Sequence, residues 1–243
     1  MIWRALYPLV IVGGLTIAYW QLRKRYKKSP LSEQERVAVG LAAFVGAMLG
    51  AKLPFLLAEK PMGAASWLWL ADGKTILGGI FGGYTSVELT KICLGIKFRT
   101  GDHFAAPVAI AIAFGRLGCF VGGCCYGQIT SFPWGIHFPL AGDSAHVLRH
   151  PTQLYEAAFH SVALGCILLC ERRGWLGGRR LTVYLLSYLV YRFVTEWIRP
   201  ETVTAIGLTS YQIACIVLFL LLVVAERVNR HVPTQALSSQ VAE

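Results

Sequence analysis

Acidic side chains are scarce: 13 Asp and Glu stand against 23 Lys and Arg, which leaves a formal net charge of +10. Such a balance could suit a nucleic-acid binder. The distribution excludes it, because the basic residues sit mostly in short loops between apolar runs, where they give the positive-inside signal and favour anionic lipid. No long polar linker and no internal repeat interrupts the chain, which argues for one domain. Neither Cys-x-x-Cys nor His-x-x-His occurs, so the usual signatures of metal ligation are missing. No cleavable leader is evident, since the first apolar run follows almost no n-region and lacks an obvious small-residue cleavage site. What the chain has in abundance is apolar surface. Its 243 residues are 55% hydrophobic with a mean hydropathy of +0.54, where a soluble domain holds about 45–50% including glycine.

Apolar runs of about 17–25 residues recur, the length needed to cross a bilayer as helix. The expected fold is therefore an all-α integral membrane protein of about seven transmembrane helices. The spans are read at about 2–20, 37–57, 75–96, 103–121, 151–170, 181–198 and 208–225. Basic clusters fall on alternate loops: Arg23 to Lys28, then Lys97 and Arg99, then Arg172 to Arg180, then Arg227 and Arg230. That alternation puts the amino terminus outside and the carboxyl terminus inside. Residues 1–230 form a single polytopic domain, with 122–150 as an outer, periplasmic head. Residues 231–243 are expected to be a disordered cytoplasmic tail. Ala65 to Leu70 reads as an interfacial aromatic piece. Ser32 with Glu33 and Glu35 is placed to cap the second helix, and Glu88 can pair with Lys91 at i,i+3.

The stretch Gly115-Arg116-Leu117-Gly118-Cys119-Phe120-Val121-Gly122-Gly123-Cys124-Cys125-Tyr126-Gly127 organises the rest. Arg116 carries a permanent charge on a span where charge is costly and by default functional. Arg192 lies at a similar depth on the sixth span. Two cations facing each other in a low-dielectric site repel, so either an anion sits between them or each has its own carboxylate. Glu196, one turn beyond Arg192, and Glu156 on the fifth span are the carboxylates in reach. Tyr188, one turn before Arg192, can bond a ligand or orient that arginine. The functional alternative to simple ion pairing is a clamp for a lipid phosphate, which the guanidinium fork suits. Gly122, Gly123 and Gly127 let backbone N–H groups approach such an anion.

At these residues the chain resembles the prolipoprotein diacylglyceryl transferases, whose signature runs Gly-Arg-x-Gly-Asn-Phe-x-x-x-Glu-x-x-Gly. Gly115, Arg116, Gly118, Phe120 and Gly127 match it. Further elements follow in order: Pro133-Trp134-Gly135, then Arg149-His150-Pro151-Thr152-Gln153-Leu154-Tyr155-Glu156, then Tyr188, Arg192, Glu196 and Arg199. The resemblance implies an enzyme of the bacterial inner membrane that moves the diacylglyceryl group of phosphatidylglycerol onto the lipobox cysteine of a prolipoprotein. Its partners would be phosphatidylglycerol, the prolipoprotein signal peptide and membrane lipids, with no cofactor, no metal and no nucleic acid. Arg116 and Arg192 would hold the phosphate and neutralise the leaving glycerol phosphate. Arg116, Arg192, His150 and Tyr188 are the candidate catalytic residues. Arg116, Gly118, Cys119, Cys124, Gly127, Glu156 and Glu196 are the candidate substrate-binding ones.

The departures fall on the polar chemistry. The family's asparagine is Cys119, its glutamate is Cys124, and the histidine before its Gly-Gly on the third span is Leu77. His150 is the base candidate that remains, set against a structural hydrogen bond at the loop-to-helix corner. His160 is read as a partner of Glu156. Cys119, Cys124 and Cys125 are open to three readings: inert filling, a disulfide of Cys119 with Cys124 or Cys125, or a reactive thiol or metal site. The alternatives to the prolipoprotein reaction are a lipid-group transferase with another acceptor, and a non-catalytic lipid-binding or thiol-redox membrane protein.

Overall fold

The computed structural model describes residues 2–27, 29–57, 75–138 and 146–229. The interfacial aromatic piece and the tail at 231–243 lie outside the described residues, as does 139–145 of the outer head. Seven α-helices occur among the described residues: α1 Ile2–Tyr26, α2 Glu33–Leu57, α3 Ile76–Leu94, α4 Gly101–Val121, α5 Thr152–Arg172, α6 Arg180–Thr195 and α7 Ser210–Val228. Each coincides with an expected span. Among the described residues, four helical stretches are long and apolar enough to cross a membrane: 33–53, 101–121, 152–172 and 210–228. The helices are joined, among the described residues, by a two-stranded antiparallel ribbon, β1 Ile136–His137 with β2 Leu148–Arg149.

Side chains at the helix ends explain where the helices begin and stop. Ser32 and Glu35 form the expected capping box: the Ser32 hydroxyl accepts from the Glu35 N–H at 3.3 Å, and Glu35 accepts from the Ser32 N–H at 2.7 Å. Thr209 and Gln212 do the same for α7. Helix α3 closes on Gly95, whose φ of +69° suits a residue without a Cβ. Helix α6 tightens into a 3-10 turn, Glu196–Ile198, and ends at Arg199. Pro200 follows, and the residue before a proline disfavours helical backbone.

The chain divides into two compact units, 28–98 and the remainder. In the first, α2 and α3 meet through small residues. A Cβ on Gly50 would lie 2.3 Å from the Gly78 carbonyl oxygen, and one on Gly82 would lie 2.2 Å from the Gly46 oxygen. Glycines four apart on both helices thus allow backbone-to-backbone approach, the way apolar helices associate where water supplies no drive. Glu88 and Lys91 pair at 3.0 Å, as their spacing suggests.

In the second unit α1 runs against α4. A Cβ on Gly14 would lie 2.2 Å from the Phe114 Cβ, and one on Gly118 would lie 2.7 Å from Ile11 Cδ1. One end of this unit is tied by charge: Arg25 to Glu171 at 2.7 Å, Arg99 and Arg179 to Glu226 at 2.9 Å, and Arg180 to Asp102 at 3.0 Å. Large apolar side chains are left outside, among them Leu9, Val162, Val190, Leu220 and Val224. The fully buried set is polar by comparison: Gln153, Glu156, His160, Tyr188 and Glu196 are all at most 1% exposed. An apolar exterior around a polar interior is the arrangement a bilayer selects, because lipid covers the first and cannot solvate the second.

Candidate active site

The buried polar residues lie on α4, α5, α6 and the turn that follows. Arg116 on α4 reaches Glu156 Oε2 on α5 at 2.9 Å. Arg199, just past the 3-10 turn, donates to the same oxygen at 2.9 Å. The Tyr188 hydroxyl on α6 donates to the other oxygen, Oε1, at 2.7 Å. One carboxylate on α5 therefore gathers groups from α4, from α6 and from the segment after the 3-10 turn. Arg192 is bonded to Glu196, whose remaining oxygen accepts from Thr209 at 3.0 Å. The Arg192 guanidinium also lies over the Tyr211 ring, 5.0 Å from its centre.

Of the two arrangements open from spacing, then, the structure has Arg116 and Arg192 each with its own carboxylate. The reason is reach: the i,i+4 step carries Arg192 to Glu196, while α5 packs on α4 and delivers Glu156 to Arg116. Tyr188 serves Glu156, not Arg192, and that too corrects the reading from one helix face. His160 approaches Glu156 only to 3.9 Å. Its closer partner is the Tyr184 hydroxyl, at 2.8 Å from Nδ1. Gly118 lies against Ile11 of α1, so here it is a packing position.

Arg116, Arg192 and Arg199 bring three guanidiniums, Glu156 and Glu196 bring two buried carboxylates, and Glu201, just past Arg199, brings a more exposed third that acts on Arg192 and Arg199. The Nε–H groups of Arg116 and Arg199 are buried with no partner in this structure, as is the Gln153 Oε1. Burial and the neighbouring Arg192 and Arg116 pull the Arg199 pKa down. The guanidinium still stays charged, so two guanidiniums with unused buried donors stand side by side at Glu156, and such donors suit an anion.

The glycine-rich turn after α4 is pinned beside this cluster. The Thr152 hydroxyl donates to the Cys125 carbonyl at 2.8 Å, and the Gln153 amide donates to the Cys124 carbonyl. Gly123 has φ +67° and Cys125 φ +61°. The second is costly for a residue with a Cβ, about 1–2 kcal/mol, and is held by those bonds. Gly127 packs too closely for any side chain: a Cβ would meet the Ile198 oxygen and the His150 Cβ at 2.7 Å. Its N–H donates to the His150 carbonyl at 2.8 Å. The His150 ring bonds the Tyr155 hydroxyl at 3.2 Å through Nδ1.

All seven cysteines are free thiols. The sulfurs of Cys119, Cys124 and Cys125 lie within 4.8 Å of one another. Hydrogen bonds from Cys119 and Cys124, with Arg116 and Arg199 nearby, hold the Cys125 thiol well below the ordinary thiol range. Cys124 shifts upward, because it donates within the same group. Only one proton leaves such a cluster easily.

Arg199 is the main residue the sequence reading did not place in the site. It was visible as part of the Tyr188, Arg192, Glu196, Arg199 series, but Pro200 next to it suggested an outer loop. Gln153 is the other, fully buried between Thr152 and Leu154 in the element that ends at Glu156.

A family model described as prolipoprotein diacylglyceryl transferase matches residues 4–226. Curated relatives named phosphatidylglycerol–prolipoprotein diacylglyceryl transferase are similar over most of the chain. That of Clostridium tetani is 32% identical over 202 residues, covering 80% of this chain and 80% of that protein. That of Wolbachia from Brugia malayi is 31% identical over 206 residues, covering 79% and 76%. That of Legionella pneumophila strain Paris is 28% identical over 201 residues, covering 80% and 77%.

Proposed function

The chain belongs to the prolipoprotein diacylglyceryl transferase family, and we propose that it transfers the diacylglyceryl group of phosphatidylglycerol to the lipobox cysteine of prolipoproteins, releasing glycerol phosphate. It is a multi-pass membrane transferase of the bacterial inner membrane. Seven spans with the amino terminus outside are the proposed topology, supported by the alternating basic loops. Residues 1–230 are taken as one membrane domain.

The observation that supports the site assignment is the pair of buried, unpartnered Nε–H donors on Arg116 and Arg199, whose guanidiniums meet at Glu156. A phosphate oxygen can accept from them. In this reading the lipid phosphate binds at those donors, with Arg192 and Glu196 completing the wall. The acceptor thiolate attacks the glyceryl carbon, the carbon–oxygen bond to phosphate breaks, and charge grows on the leaving glycerol phosphate. Fixed cations in a site closed to water stabilise that charge without reorganising. Glu156 and Tyr188 hold the arginines in place. His150, anchored through Nδ1 to Tyr155, is assigned to take the acceptor thiol's proton.

The test is complementation of cells depleted of their own enzyme, with transfer from phosphatidylglycerol to a lipobox peptide measured on purified protein. The wild-type chain should restore growth. Arg116→Ala should lower transfer about 100-fold or more, the scale for removing one transition-state donor. Cells that stay dead while the protein is made and inserted would sink the proposal.

A further inference from the structure

We propose that Cys119, Cys124 and Cys125 form a zinc site with an open position for the acceptor thiolate. The inference rests on the transferase reading above and names what replaces its missing polar residues. Where the family carries an asparagine and a glutamate, this chain has Cys119 and Cys124, and Cys125 stands beside them.

The geometry supports it at three points. The sulfurs all lie within 4.8 Å of one another, and sulfurs around zinc at about 2.3 Å stand roughly 3.8 Å apart in a tetrahedron, so small rotations close the site. The backbone presents these sulfurs on purpose. Cys125 occupies left-handed backbone, and both Cys124 and Cys125 have their carbonyls tied to α5 through Gln153 and Thr152. Charge is the third point. Zinc with three thiolates carries a net charge of −1, and Arg116 and Arg199 stand near enough to Cys125 to act on it electrostatically. Three protein ligands leave a fourth position free, the pattern of catalytic zinc.

A thiol entering that position loses its proton to His150 and becomes zinc-bound thiolate, because coordination deprotonates thiols outright. The sulfur then forms its bond to the glyceryl carbon as the carbon–oxygen bond breaks. Glycerol phosphate leaves with the electron pair towards the arginines. Nothing is oxidised or reduced, and the thioether product is a weak ligand that departs.

The test uses the full chain purified in detergent without chelator. Metal analysis should find about one zinc per chain, lost in Cys119→Ser and Cys124→Ser and kept in Cys166→Ser. The cobalt-substituted protein should show thiolate-to-metal charge transfer. Adding a lipobox peptide should change that spectrum, and its Cys→Ser version should not. Chelation should abolish transfer, and zinc should restore it. Metal content is read without lipid or peptide, so it does not depend on the arginine cluster. Copper in place of zinc, a disulfide among the three cysteines, or no metal at all overturns the site. Undiminished transfer after chelation, with Arg116→Ala still inactive, overturns it as well while leaving the transferase reading intact.

Discussion

Glu156 receives two guanidiniums on Oε2 and the Tyr188 hydroxyl on Oε1. Any change there affects partners on α4, on α6 and just past the 3-10 turn at once. Its two-to-one ratio of cations to carboxylate also means that the arginines cannot re-pair among themselves. Glu156→Gln should therefore cost about 3–5 kcal/mol, the scale for breaking a buried ion pair from one side. Thermal unfolding in detergent would read it. The comparison is Glu88→Gln, whose carboxylate is 35% exposed and can be replaced by water at its buried partner Lys91, so that its loss should cost clearly less. Equal unfolding temperatures for the two variants would mean that the buried cluster does not hold these helices together.

Helices α2 and α3 show what small residues do for an element. Their contact is backbone on backbone, so the tolerance of each glycine follows from what faces it. A Cβ on Gly50 would meet the Gly78 oxygen at 2.3 Å, and backbone cannot step aside. A Cβ on Gly79 would meet nothing nearer than the Ala47 oxygen at 3.4 Å. Gly50→Ala should lose about 1–3 kcal/mol through overpacking. Gly79→Ala should be neutral or slightly stabilising, since alanine favours helix by about 0.5–1 kcal/mol. A thermal aggregation assay on membrane extracts ranks the two, and the reverse order would refute the close packing. The same logic applies to Gly127 in the larger unit, where the opposing Ile198 oxygen also belongs to backbone.

Across the whole molecule, charge and apolar surface are sorted. Arginines that serve the loops tie one end of the larger unit through Glu171, Glu226 and Asp102. Those that serve the site are buried around Glu156 and Glu196. The proposed orientation follows from the first group. A carboxyl-terminal fusion to a fluorescent protein should glow, and one to alkaline phosphatase should be inactive. A phosphatase fused after His137, in the outer head, should be active. The opposite pattern would invert the topology, because cytoplasmic loops are the ones that retain Lys and Arg.

The apolar runs set the positions of the seven described helices to within about six residues, because in lipid a backbone has few options besides helix. Capping residues were readable for the same local reason, as Ser32 with Glu35 shows. The candidate cluster was legible as a list, Arg116, Glu156, Tyr188, Arg192 and Glu196, but not as a set of bonds. Spacing along one helix joined Arg192 to Glu196 and set Tyr188 towards a ligand or Arg192, whereas its bond goes to Glu156 on another helix. Only the packing of α4, α5 and α6 brought Arg116, Tyr188 and Arg199 to a single carboxylate, and only the turn held by Thr152 and Gln153 gathered three sulfurs. Local propensity and hydropathy act through neighbours in the chain. Pairing of buried charge depends on which helices touch, and that is decided by side-chain contacts far apart in sequence.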